Sequence, residues 1–180
     1  MDTLPLWAQI LILVGLLAVA GFFSIAETSM MAINRFRLRH LAKQGNRAAI
    51  RTQELLEQTE RLLGVILIGN NVINTISAMF SGAIAAHYWG NNQYALSIAA
   101  ALISFAIIIF SELTPKVIGA AYPEKIALPA SLILKPLLTI IYPAVWFTNL
   151  FANGLLRLMR INPKPDEETL SSEEIRALVL

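Results

Sequence analysis

The most constraining feature of this sequence is a series of apolar stretches separated by short polar segments. A helix of about 20 apolar residues spans the roughly 30 Å hydrocarbon core of a bilayer, and several of these stretches are that long. Hydrophobic residues make up 56% of the chain and charged residues 14%, whereas soluble domains carry roughly 25% charged residues. The chain is therefore predicted to be an all-α membrane protein.

Three transmembrane helices are predicted from the apolar stretches, and the basic residues between them set the orientation. Segment 34–61 is rich in Arg and is interrupted at Gly45-Asn46, which predicts a hairpin of two amphipathic helices. Basic loops stay on the inner side of a membrane, so we expect this hairpin in the cytoplasm and the N-terminus outside. The predicted spans cover about residues 5–33, 62–87 and 94–114.

A fourth apolar segment, 123–158, is interrupted by prolines every seven residues, at Pro129, Pro136 and Pro143. Proline removes a backbone hydrogen bond inside a helix, so we interpret the segment as proline-kinked, juxtamembrane or re-entrant. A fourth complete crossing is the alternative, but it would place the charged C-terminal tail outside. The transmembrane domain is thus expected over 1–160, and 161–180 is expected to begin a truncated cytoplasmic helical region.

Polar side chains interrupt all three predicted spans within the inner half of the bilayer. At about 1.5 Å per residue, Ser24 lies roughly 15 Å from the inner end of its span, and Asn70 and Asn74 lie roughly 12 and 18 Å from theirs. Glu112 lies roughly 6 Å from the inner end of the third span on the same count. These oxygens suggest one site open to the cytoplasm, of the kind that suits Mg²⁺, Ca²⁺ or Na⁺.

Glu112 is the most informative of these residues, because a carboxylate within a membrane helix is costly and is usually functional. Pro115 has no N–H, which is expected to free the carbonyl of Ser111, four residues back. The structural alternative is an ion pair between Glu112 and Lys116, one helical turn further on.

The neutral polar residues also have purely structural interpretations. Hydroxyls such as Ser24 and Thr28 often bond to the carbonyl four residues back in a membrane helix. Asn70, Asn71 and Asn74 could form hydrogen bonds between helices instead of binding an ion.

Other candidate activities are weaker. Glu27 is either a direct ligand or a partner of Arg35 or Lys116. A hydrolase using Ser24 and His87 is disfavoured, since these residues are expected near opposite membrane surfaces.

The chain has no cysteine, which excludes thiolate chemistry. Its basic residues flank apolar spans and form no single basic face, so no nucleic-acid partner is expected; anionic lipid binding is a secondary possibility.

Five motifs, in order along the chain, resemble the CorB/CorC and cyclin M (CNNM) family. The resemblance covers essentially the whole sequence. The motifs are Phe23-Ser24-x-x-Glu27-Thr28, Asn34 to Asn46, Ile68-Gly-Asn-Asn-Val-Ile-Asn74, Ser111-Glu-Leu-Thr-Pro-Lys116 and Tyr122-Pro-Glu-Lys125.

The resemblance implies a homodimeric domain of the inner (plasma) membrane that exports Mg²⁺, exchanging it against Na⁺, and that is not an enzyme. It also implies that a following helical bundle and a pair of CBS domains, absent here, would bind ATP. A cation-sensing scaffold with a structural Mg²⁺ and no transport is the alternative. The ligands implied are Ser24, Asn70, Asn74 and Glu112, with backbone oxygens near Phe23 and Gly119, and with Glu27 and Asn71 as further candidates.

Overall fold

A computed structural model describes residues 5–90 and 92–159, and this part of the chain is helical throughout, with short turns and no strand. The predicted all-α class is confirmed for these residues. The helices are α1 (Leu6–Ala32), α2 (Arg35–Lys43), α3 (Arg47–Glu57), α4 (Thr59–Trp89), α5 (Gln93–Ala106), a π-helical segment (Ile107–Leu113), α6 (Thr114–Ala121) and α7 (Pro123–Leu158).

Four helical stretches in the described residues are long and apolar enough to cross a membrane. One of them runs unbroken through α5, the π-helical segment and α6, and another lies within α7. The count of three crossings plus a re-entrant segment therefore stays a prediction. The four stretches are Leu6–Ala32, Thr59–Trp89, Gln93–Ala121 and Pro123–Thr148.

The segment between α1 and α4 forms two short helices, and each is capped by an asparagine. The Asn34 Oδ1 accepts hydrogen bonds from two backbone N–H groups at the start of α2, at 3.0 and 3.1 Å. Asn46 does the same for α3, also at 3.0 and 3.1 Å. Gly45 has a φ of 82°, which a residue without a Cβ adopts readily. The turn lies where the Gly45-Asn46 pair predicts it.

Helix α7 runs without interruption over its three prolines. Pro129, Pro136 and Pro143 are all exposed, because a seven-residue spacing is close to two helical turns. The backbone carbonyls four residues before each proline lack their helical hydrogen bond, and they lie near the same exposed side of α7. Opposite them, Ala127 and Leu134 are fully buried, so α7 packs through a proline-free face.

The apolar core lies where the end of α1, the α2–α3 hairpin, the start of α4 and the start of α7 meet. Two exposed ion pairs join the hairpin to α7: Arg37 Nε to Glu124 Oε2 at 3.0 Å, and Lys135 Nζ to Glu54 Oε2 at 2.6 Å. Exposed ion pairs contribute roughly 0.2–1 kcal/mol each, so the burial of apolar side chains contributes most to the packing of the hairpin on α7. The most deeply buried members of this core are Ala26, Met30, Leu38, Ala49, Leu62, Ile66, Ala127 and Leu134.

The chain divides into two compact units, residues 1–145 and 146–180. The first contains the core and every candidate ligand. In the described part of the second, the rings of Phe147 and Phe151 pack edge to face with centroids 4.9 Å apart. The predicted cytoplasmic region 161–180 lies outside the described residues.

Helix α1 approaches its neighbours closely through glycines. A methyl group on Gly119 of α6 would lie 2.7 Å from the Ile25 carbonyl oxygen of α1, and one on Gly69 of α4 would lie 2.6 Å from the Phe23 ring. Gly21 of α1 makes a looser contact, with the Phe110 oxygen and Pro115 Cγ each 3.3 Å from its ideal Cβ position. Small residues allow such approaches between membrane helices.

Substituting Gly119→Ala is expected to lower the free energy of unfolding by about 1–3 kcal/mol, because the added methyl meets a backbone oxygen that has little room to move. Thermal unfolding in detergent micelles, followed by far-UV circular dichroism, measures the change. Gly15→Ala is the matched control, since no atom lies within 4 Å of its added methyl. Equal stability of the two variants would contradict the proposed role of Gly119.

Candidate cation site

The segment Phe23–Ile25 of α1 lies between two other helices. The Gly69 contact brings α4 against Phe23, and the Gly119 contact brings α6 against Ile25. Ser24, between these two residues, has no solvent-exposed surface. The packing therefore buries a hydroxyl in the most closely packed part of α1.

The Ser24 hydroxyl differs from the other hydroxyls on this part of α1. Thr28 Oγ1 donates to the Ser24 carbonyl at 3.2 Å, and Ser29 Oγ donates to the Ala26 carbonyl at 3.1 Å. Both are the local bonds expected of a membrane helix. Ser24 Oγ is buried and has no hydrogen-bond partner among the described residues. The structural interpretation thus holds for Thr28 and not for Ser24.

Two amides of α4 supply further buried oxygen atoms. Asn70 follows Gly69 and is only 9% exposed, so the contact between Gly69 and Phe23 brings it to the α1–α4 interface that buries Ser24. Asn74 Nδ2 donates to Asn70 Oδ1 at 3.3 Å, and Asn74 Oδ1 is buried without a partner in the described structure. The side chains of Asn70 and Asn74 are therefore joined to each other, at the four-residue spacing where helical side chains meet.

Asn71 lies on a different face of α4 from Asn70. It is exposed, and its carbonyl accepts a hydrogen bond from Thr75 Oγ1 at 2.8 Å. Its side chain is therefore not part of the buried group formed by Ser24, Asn70 and Asn74.

Glu112 is carried by the π-helical segment, which the sequence did not predict. The neighbouring Ser111 is fully buried and donates through Oγ to the Leu17 carbonyl of α1 at 3.3 Å. The Thr114 N–H bonds to the Ile109 carbonyl, five residues back. In a π-helix each N–H bonds to the carbonyl five residues back. Because Pro115 has no N–H, the Phe110 carbonyl lacks its π-helical partner. The α-helical spacing of four residues had pointed to the Ser111 carbonyl instead. Single π-turns of this kind frequently occur at functional sites.

Glu112 and Glu27 share one ammonium group. Lys116 Nζ lies 3.3 Å from Glu112 Oε1 and 3.9 Å from Glu27 Oε2, and all three side chains are partly exposed. Contacts within the described residues link Glu112 to Lys116 and not to Ser24 or Asn70. The ion pair considered as the alternative for Glu112 is thus present, and Glu27 pairs with Lys116 and not with Arg35. The sequence suggested each pair separately, but it did not indicate that one lysine joins both carboxylates.

The candidate site therefore has two parts. The buried part consists of neutral oxygens from Ser24, Asn70 and Asn74, which suit a hard cation. The charged part consists of Glu27, Glu112 and Lys116. No group of three or more His, Cys, Asp or Glu side chains placed to hold a metal occurs in residues 5–90 and 92–159. Any cation at the buried part would thus bind mainly through hydroxyl, amide and backbone oxygens, with carboxylates nearby.

Ser24 and His87 cannot act together as a hydrolytic pair. Ser24 follows Phe23, whose ring contacts Gly69 in the first half of α4, whereas His87 lies in the last turn of that helix. At the α-helical rise, Asn70 and His87 are about 25 Å apart along the axis.

Comparison with known proteins places the chain among membrane proteins of one family. Residues 11–180 match the family described as the cyclin M transmembrane N-terminal domain. The chain is 41% identical over 164 residues to the UPF0053 inner membrane protein YfjD of Escherichia coli K12, covering 89% of this chain and 37% of that protein. It is 36% identical to a UPF0053 protein of Haemophilus influenzae, covering 99% of this chain and 42% of that protein.

A further relative has a name that states its activity. The polyamine export protein of Escherichia coli K12 is 31% identical over 185 residues, covering 95% of this chain and 40% of that protein. The chain thus spans about two fifths of the length of the curated relatives it matches. Its long apolar helices and this similarity along almost the whole sequence identify a multi-pass membrane protein, and the chain belongs to the cyclin M transmembrane N-terminal domain family.

Proposed function

We propose that this domain transports Mg²⁺ out of the cell and that the ion binds to Ser24, Asn70, Asn74 and Glu112. Two buried oxygens carry the proposal: Ser24 Oγ and Asn74 Oδ1 have no hydrogen-bond partner in the described structure. Buried polar groups are nearly always paired, and one that is unpaired costs about 1–3 kcal/mol. A bound cation would supply the partner that each of them lacks.

The donor set is consistent with this ion. Mg²⁺ prefers oxygen ligands in octahedral geometry and gives up its water reluctantly, so several protein oxygens must replace the water together. Asn70 Oδ1 now accepts a bond from Asn74 and would be released for the ion if the Asn74 amide moved. Backbone oxygens near Phe23 and Gly119 are further candidates, and Gly119 already lies against the Ile25 carbonyl.

Orientation and coupling form part of the same proposal. The basic residues of α2 and α3 favour a cytoplasmic hairpin, in which case the site would open inward and the N-terminus would lie outside. The family resemblance supports exchange against Na⁺, a homodimer and regulation by ATP-binding CBS domains elsewhere in such proteins. The alternative within the same site is a sensor in which Mg²⁺ is structural and no ion crosses.

Polyamine export is a second candidate, favoured by one specific contact. Glu27 and Glu112 already share the primary ammonium of Lys116. A polyamine carries the same group, and a relative named as a polyamine export protein is 31% identical to this chain. In this case the carboxylates, and not the buried neutral oxygens, would select the substrate.

Removing a site oxygen is expected to stop Mg²⁺ flux. In proteoliposomes that contain a Mg²⁺-sensitive dye, Glu112→Ala should reduce flux to background. Asn70→Ala should weaken the apparent affinity about tenfold, equivalent to about 1.4 kcal/mol. Asn71→Ala is the matched control: it removes the same side chain from the next position, where it is exposed, and should retain flux. Normal flux in the Glu112 variant would refute the site, and Mg²⁺ binding without flux in the wild type would favour the sensor.

Ser24→Ala should separate stability from ion binding. Without Mg²⁺, removing an unpaired buried hydroxyl should raise the free energy of unfolding by about 1 kcal/mol. The increase in Tm that Mg²⁺ produces in the wild type should be lost.

Ser131→Ala is the control for this variant, because Ser131 is equally buried but donates to the Leu128 carbonyl at 2.6 Å. It should lower stability by about 1 kcal/mol and keep the response to Mg²⁺. If Ser24→Ala destabilises the protein as Ser131→Ala does, its hydroxyl has a partner and the proposed ligand role fails.

The two candidate substrates can be distinguished by testing whether their transport depends on the neutral oxygens of the buried part of the site. If Mg²⁺ is the substrate, Asn74→Ala abolishes Mg²⁺ uptake and spermidine does not compete. If a polyamine is the substrate, radiolabelled spermidine is transported, Asn74→Ala retains that transport and Glu27→Gln reduces it. Flux of both compounds, measured on the same vesicle preparation, decides between the candidates.

A further inference from the structure

Lys116 occupies the position in which a positive charge compensates Glu112. Its ammonium lies 3.3 Å from Glu112 and 3.9 Å from Glu27, so one cation serves two carboxylates. Glu112 and Lys116 are four residues apart, the spacing at which helical side chains meet. Glu27 lies on α1 and is therefore a partner from a different helix.

The second contact depends on how α6 packs on α1. Gly119, three residues after Lys116, lies against the Ile25 carbonyl, two residues before Glu27. This close approach fixes the start of α6 relative to the turn of α1 that carries Glu27. The Lys116 ammonium thus lies within 4 Å of both carboxylates in a single arrangement of the two helices.

We propose that Lys116 is a tethered competitor of the transported cation. When the site is empty, its ammonium neutralises Glu112. When a cation binds, Lys116 leaves Glu112 and pairs with Glu27. This inference rests on the function proposed above, and it assigns Glu27 a positioning role through Lys116 in place of direct ligation.

The consequence is that Lys116 weakens cation binding and assists release. Any ion that binds Glu112 must first displace the ammonium, and the ammonium returns as the ion leaves. A transporter needs a site that binds its ion and also lets it go. Partly exposed ion pairs change an equilibrium constant by about two- to fivefold, which sets the size of the expected effect.

The test is a Mg²⁺ titration of the purified protein by isothermal titration calorimetry, with initial flux rates measured in parallel. Lys116→Met should lower the Kd for Mg²⁺ by about two- to fivefold and reduce the maximal flux rate. Lys116→Arg should restore both values towards the wild type. Lys125→Met is the matched control. Lys125 contacts the Tyr122 ring and pairs with no carboxylate in the described structure, so this variant should bind Mg²⁺ with the Kd of the wild type.

Glu27 provides a second, independent test. With Glu27→Gln, Lys116 loses its alternative partner and stays on Glu112, so the Kd for Mg²⁺ should rise by about two- to fivefold. In the Lys116→Met background the same substitution should have no effect. If Glu27 were a direct ligand, the Kd would rise in both backgrounds. If Lys116→Met does not fold, Lys116→Gln supplies the same neutral background for this comparison.

The outcomes separate this inference from the function on which it rests. If Glu112→Gln abolishes Mg²⁺ binding while Lys116→Met leaves the Kd unchanged or raises it, the competitor role is wrong and the site stands. If the wild type binds no Mg²⁺, both are wrong. A tighter Kd in Lys125→Met as well would show a general charge effect and would also overturn the role of Lys116.

Discussion

The structure depends on the close approach of α4 and α6 to one short segment of α1. Lipid tails are as apolar as the side chains of a membrane helix, so helix association relies on van der Waals packing and interhelical hydrogen bonds. Gly69 and Gly119 permit that packing at Phe23 and Ile25. Because Ser24 lies between these two residues, the contact that joins the helices also removes its hydroxyl from water. Fold and candidate site thus share one cause.

Sequence patterns of short range predicted most of the architecture. Apolar runs marked the helices, and the Gly45-Asn46 pair marked the turn between α2 and α3, because a turn depends on residues that are adjacent in sequence. The continuity of α7 could not be predicted in the same way. The interior prolines indicate a local cost of roughly 3 kcal/mol each, but whether the helix tolerates them depends on which face packs. In α7 the packed face is the one without prolines.

The site was only partly predictable for a related reason. Ser24 and Thr28 have similar side chains on the same face of α1, yet Thr28 bonds to a local carbonyl and Ser24 does not. Sequence spacing cannot distinguish them, since the difference arises where α4 and α6 pack. The π-helical segment is likewise in tertiary contact, with Ser111 bonded to the Leu17 carbonyl of α1. The hydrogen bond between Asn70 and Asn74 was not predicted, although it lies within one helix at the spacing where side chains meet.

The division of the site into neutral and charged parts bears on how an ion could leave it. Hydroxyl and amide oxygens replace the water around Mg²⁺ but do not cancel its charge, and an uncompensated charge in a low-dielectric environment is costly. Glu27 and Glu112 supply two negative charges, while Lys116 returns one positive charge. The three residues therefore carry a net charge of −1, and binding of Mg²⁺ would leave a total charge of +1. Incomplete compensation limits affinity, and an ion held in this way is easier to release than one whose charge is fully neutralised.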